Sequence, residues 1–295
     1  MQRKSLGKQI WEVFSPILVY LGITVLVETV IIVIYYMRSL PELIAAMETE
    51  EALMEYILNL STKVLSYVVE ITAIAAVITL PILLLMKKKD RQKDEAAGIL
   101  QGKKAPLAKY IYIVGLSISF AVGINNILTL SNLAEYSVAY QEVADALYTP
   151  NLWVQILCLG IMIPITEEYI FRGLIYRRMR QNLSVIRAIL LSALVFGIYH
   201  GNSVQMIYGG LCGILLAYVY EKYGSMKAPI LAHMLMNTVA CVLTGVEGFE
   251  WMFTQPMRMA VITIACAAIG STMFLFIRDI EQVQETETQE TEMLQ

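Results

Sequence analysis

The chain has 295 residues, 57% hydrophobic and 16% charged, with a formal net charge of −3. Soluble domains are about a quarter charged, so this balance excludes an ordinary globular protein, and a near-neutral chain gives no basis for a nucleic-acid partner. The expected fold class is all-α, a polytopic membrane protein of about eight transmembrane helices whose surroundings are the lipid bilayer.

In chain order, a span needs about 20 mainly apolar residues. Candidate spans fall at 14–37, 64–86, 110–130, 152–176, 188–204, 205–221, 228–246 and 257–277. The first run is too long for a signal-peptide core, and no small-residue cleavage site follows it. Cys158, Cys212, Cys241 and Cys266 all lie in apolar segments without CxxC spacing, which supports neither a disulfide frame nor a zinc knuckle. Basic residues collect at the N-terminus (Arg3, Lys4, Lys8), in 87–109, in 172–187 and at Lys222 and Lys227. The alternate loops 38–63, 131–150 and 247–256 are acidic or lack basic residues. The positive-inside rule then expects both termini in the cytoplasm. Three regions follow: N-terminal helices with a basic cytoplasmic loop over 1–109, a core over 110–280, and a disordered acidic tail over 281–295.

Polar groups inside the spans are the functional suspects, because a charge at a span centre costs about 2.5–3.5 kcal/mol. The stretch "IPITEEYIFRGL" places Glu167 and Glu168 side by side, with Arg172 one turn on. Both histidines of the chain, His200 and His233, lie in predicted spans, and Asn237 follows His233 by four. Taking Arg177, Arg187 and Lys227 as cytoplasmic ends, Glu167, His200, His233 and Asn237 lie about 15, 20, 9 and 15 Å deep. Three helices thus bring polar groups to overlapping depths. Glu168 and Arg172 share a face and can pair; Glu167 points about 100° away, toward another helix. Pro164 should kink the helix beside them. Gly209 and Gly213 form a small-xxx-small pair suited to close helix packing. A glutamate beside a histidine can deprotonate water, and a His/Asn face can donate to an oxyanion. These are the parts of an amide-hydrolysing site.

The segments "EEYIFR", "FGIYH" and "HMLMN" resemble the EExxxR, FxxxH and HxxxN motifs of the CPBP group, the CAAX-protease and bacteriocin-processing (Abi) intramembrane proteins. The likeness covers about 150–245, in the family's order. It implies a helical fold with an intramembrane cavity and peptide-bond hydrolysis by an activated water. Glu167 and His200 would activate the water, His233 and Asn237 would stabilise the oxyanion, and Glu168 and Arg172 would support the site. The resemblance implies a glutamate protease or a metalloprotease. The chain lacks HExxH, yet Glu167, His200 and His233 are candidate ligands for a divalent metal such as zinc. Its expected setting is the bacterial cytoplasmic membrane, with a peptide or protein substrate presented at the cytoplasmic side.

Two other functions stay open on the residues alone. One is a non-catalytic immunity or scaffold protein of the same fold. The other is a proton-coupled transporter whose relay would run through Glu28, Glu70 and Glu167. As structural groups, Glu28, Glu70, Asn125 and Asn126 would make interhelical hydrogen bonds, Phe196 would pack, and Arg258 would anchor at the interface.

Overall fold

The computed structural model describes residues 5–96, 104–133 and 137–280. The acidic tail 281–295, Arg3, Lys4 and the stretch 97–103 of the basic segment lie outside the described residues. Helices account for every regular element among the described residues.

We number them in chain order. α1 is Leu6–Arg38, α2 Leu40–Ala46, α3 Glu50–Ser66 and α4 Val68–Ala96. α5 is Tyr110–Leu130 and α6 Val138–Tyr148. α7 is the continuous helix Leu152–Arg180, α8 Val185–Tyr199 and α9 Ser203–Tyr223. α10 is Lys227–Gly245, α11 Gly248–Phe253 and α12 Pro256–Arg278.

Seven of these helices, α1, α4, α5, α7, α9, α10 and α12, are long and apolar enough to cross a membrane. The expected fifth span, 188–204, is instead the shorter helix α8, which ends at Tyr199. Its 15 residues rise about 22 Å, less than the roughly 30 Å of a hydrocarbon core. The cause is local. Gly201 takes φ +80°, and the Asn202 side chain caps α9 by accepting from Gln205 N at 2.9 Å. His200 therefore sits at the end of a helix rather than inside a span. The acidic loop expected over 38–63 is also folded, as α2 and α3, the latter capped by Thr49 Oγ1, which accepts from Ala52 N at 3.2 Å.

α8 and α9 form the tightest pair, and glycine makes it so. A Cβ on Gly197 would stand 2.5 Å from the Met206 carbonyl oxygen, and one on Gly213 would stand 2.9 Å from Ala193 Cα. Gly197→Ala is expected to cost about 1–3 kcal/mol through backbone separation, read as a lower unfolding temperature in detergent.

α7 runs through the middle of the bundle. Ile170, Phe171, Arg172, Leu174 and Ile175 of it are all at most 1% exposed. Its neighbours are α1, α4, α6, α8, α9 and α10. Two stretches, Ile156–Met162 and Phe171–Tyr176, widen to π-helical turns. The first lies directly before Pro164, whose ring would clash with the carbonyl four residues back in a regular helix. The kink expected at the proline is thus absorbed as a wider turn. Between the two wide turns sits the α-helical segment Ile163–Ile170, which carries both glutamates. Thr166 Oγ1 donates to Ala76 O of α4 at 3.0 Å and fixes its height.

The basic end of the bundle is laced by ion pairs. Asp90 and Asp94, one turn apart on α4, take Arg178 at 2.6 Å and Arg177 at 2.5 Å. Arg178 also donates to the Glu12 carbonyl of α1. Glu221 of α9 accepts from Tyr176 at 2.6 Å and Arg180 at 3.3 Å. Residues 87–96 of the expected basic loop thus continue α4 and hold α7 against α1.

Candidate active site

The glutamate segment of α7 faces α10. Glu168 Oε1 accepts from Arg172 Nη1 at 2.7 Å and from His233 Nδ1 at 2.8 Å. The three residues are 0%, 1% and 5% exposed. Arg172 also donates through Nη2 to Gly213 O at 3.1 Å, and its guanidinium lies 4.6 Å over the Phe196 ring. A carboxylate that receives an arginine is ionised and can only accept, so His233 Nδ1 carries a proton. Glu168 Oε2 and Arg172 Nε are buried without a hydrogen-bond partner.

Glu167 lies on the other side of the same imidazole. Its Oε2 is 3.7 Å from His233 Nε2. With Nδ1 protonated, a neutral His233 offers only a lone pair at Nε2, so two acceptors face each other. Such a pair needs a hydrogen between them, from a water or from a proton held on either group. That is the local condition for taking a proton from water.

His200 is placed differently. Its Nδ1 donates to the Phe196 carbonyl at 2.8 Å, its one polar partner among the described residues. Its ring meets the Phe196 ring edge-on at 4.8 Å, and the His233 ring meets it edge-on at 5.8 Å. Both imidazoles therefore contact one phenyl ring. Gly209 leaves room for His200: a Cβ there would stand 3.1 Å from Nδ1. Asn237 donates through Nδ2 to Leu159 O, in the first wide turn of α7, at 3.0 Å. A widened turn leaves its carbonyls poorly met within the helix, and Asn237 supplies a donor. Replacing Asn237 by leucine should cost about 1–2 kcal/mol of stability, measured by chemical unfolding in mixed micelles.

The structure thus brings Glu167, Glu168, Arg172 and His233 into one cluster. It sets His200 beside the cluster on Phe196 and Asn237 one turn along α10. Phe196, read from the sequence as packing, is where the guanidinium and both imidazoles meet. Its place as the first residue of "FGIYH" is the one signal in the sequence that marks it out. The possible zinc set does not fit: among the described residues no three His, Cys, Asp or Glu side chains form a group able to hold a metal ion.

The other intramembrane polar groups lie elsewhere. Glu28 lines a cavity of about 360 Å³ between α1, α3 and α4. Glu70 Oε2 is buried with no hydrogen-bond partner, where an interhelical bond was expected. Asn126 bridges helices, donating to Thr263 Oγ1 at 3.0 Å, whereas Asn125 donates to Ala121 O in its own helix. Arg258 lies 3.9 Å over the Trp251 ring and donates to the Trp251 carbonyl. All four cysteines are free thiols.

Comparison with known proteins agrees with the motifs. The family model described as Type II CAAX prenyl endopeptidase Rce1-like matches residues 149–239. The "Putative membrane peptidase YdiL" of Bacillus subtilis (strain 168) is 28% identical over 142 residues, 44% of this chain and 57% of that protein. The chain therefore spans less than two thirds of the relative's length. No solved structure matches the chain. The matched residues hold all three motifs and the buried Glu167–Glu168–Arg172–His233 cluster, so over this segment the chain is similar to the CPBP family of CAAX-protease-like membrane proteins.

Proposed function

We propose that the protein is an intramembrane endopeptidase that hydrolyses a peptide bond with a water activated at Glu167. The observation that carries this reading is the opposed acceptor pair, Glu167 Oε2 and His233 Nε2 at 3.7 Å, held by a buried counter-charge. A water bonded to Glu167 gives up a proton to the carboxylate as its oxygen attacks the carbonyl carbon. The carbonyl π electrons move to oxygen. When the C–N bond breaks, the amine leaves with the proton that Glu167 received. Glu168 and Arg172 keep His233 turned toward Glu167, and Arg172 balances one carboxylate charge in a low dielectric.

His200, its Nδ1 engaged, is left with Nε2 to hold the water alongside Glu167. Asn237 uses one of its two amide hydrogens on Leu159 and keeps the other for the oxyanion. The cluster lies between the wide turns of α7, one of which leads into the basic end of the bundle. By the charge bias of the loops that end faces the cytoplasm of a bacterial cell, with both termini on the same side. A peptide tail or leader would enter from there.

The test is comparative membrane proteomics. New peptide termini should appear in cells carrying the wild-type protein and vanish with Glu167→Ala at equal abundance. Identical termini in both strains would end the reading.

A further inference from the structure

We infer that Tyr20, on α1 and far outside the matched residues, is a catalytic residue whose phenol donates a hydrogen bond to the oxygen of the scissile carbonyl as it becomes an oxyanion. The inference rests on the peptidase reading above.

Tyr20 is 1% exposed and among the largest fully buried side chains. Its Oη is buried and makes no hydrogen bond. Its ring lies 6.3 Å from that of Tyr199, whose own ring is 5.6 Å from His200. The Tyr20 hydroxyl therefore has no acceptor at hydrogen-bond distance among the described residues. The Tyr199 ring also lies 5.3 Å from that of Phe171, which packs edge-on at 4.7 Å against Phe196, the ring beneath the Arg172 guanidinium.

Burying a hydroxyl without a partner costs about 1–3 kcal/mol. Phenylalanine would fill the same space without that cost, so packing alone gives no reason for the oxygen. An acceptor that arrives with the substrate does. The attacking water is held at Glu167, and the carbonyl oxygen becomes an anion about 3 Å from that water. A phenol joined to His200 through the Tyr199 ring, dry and with no acceptor, is a donor prepared for a charge that exists only in the adduct. Such a donor stabilises the transition state more than the bound peptide and acts on kcat rather than KM.

The experiment uses the full chain in lipid nanodiscs, a fluorogenic peptide library to find a cleaved probe, and three proteins: wild type, Glu167→Ala and Tyr20→Phe. Tyr20→Phe should lower kcat about 100-fold with KM unchanged. Its unfolding temperature should equal or exceed that of wild type, because the uncompensated hydroxyl is gone. Opposite movement of stability and turnover is what a purely structural tyrosine would not give. Wild-type kcat in Tyr20→Phe, with Glu167→Ala inactive, overturns this inference and leaves the peptidase reading standing. So does a fall in stability that accounts for the lost turnover. An inactive wild type, or an active Glu167→Ala, overturns both.

Discussion

Purified Glu167→Gln should retain its fold and lose turnover by about 1,000-fold or more. Glutamine keeps the size of the side chain and its place in the turn Ile163–Ile170 but cannot accept a proton. General-base removal costs 10²–10⁴ in rate, and here the base also carries the proton to the leaving amine, which places the loss in the upper part of that range. Glu167 makes no hydrogen bond that holds helices together; its near neighbour is His233 Nε2 at 3.7 Å. Stability should therefore change little, and the unfolding temperature of the variant is the control. Cleavage of a peptide probe in nanodiscs gives the rate. Turnover within tenfold of wild type would remove Glu167 from the chemistry.

Arg172→Met should be the most destabilising single change at the site, by about 3–5 kcal/mol. The guanidinium is 1% exposed and the carboxylate it pairs with is 0% exposed. Removing it strands the Glu168 charge in an apolar interior and also opens the donor to Gly213 O. Reversible unfolding in mixed micelles would report the loss. The double variant Glu168→Gln with Arg172→Met separates charge from packing. With neither charge left, most of the stability should return, because a buried ion pair roughly cancels its own desolvation. Turnover should stay low in the double variant, since a glutamine oxygen holds the Nδ1 proton of His233 less firmly than a carboxylate. If the double variant is no more stable than Arg172→Met, the arginine acts through packing on Phe196.

Much of this architecture is legible in the residues. Apolar length alone locates the seven long helices, and rise per residue puts Glu167, His200, His233 and Asn237 at overlapping depths of about 9–20 Å. The Glu168–Arg172 pair follows from their spacing of four. Rotation is harder to read than depth. Which imidazole turns toward Glu167 depends on the azimuth of α8 and α10, and two wide turns in α7 shift the phase of everything around them. The family resemblance implies that His200 shares the water; the structure sets His233 at 3.7 Å from Glu167 and ties His200 Nδ1 to Phe196 O. The end of α8 is a further case: a glycine at positive φ and an asparagine cap stop a helix that hydropathy would continue. Tyr20 is invisible for another reason. It sits in a run of apolar residues, and what distinguishes it is an oxygen whose surroundings belong to other helices.

The placement of α1 bears on how the protein can be cut down. Its carbonyl at Glu12 is tied to Arg178, 166 positions later, and its Tyr20 ring is seated on Tyr199, so the first helix closes a wall around residues far along the chain. A truncation that keeps only the segment of recognisable kinship would open that wall to lipid. The inheritable unit and the working unit are therefore different lengths of chain, and complementation by a separately expressed first helix would measure the gap between them.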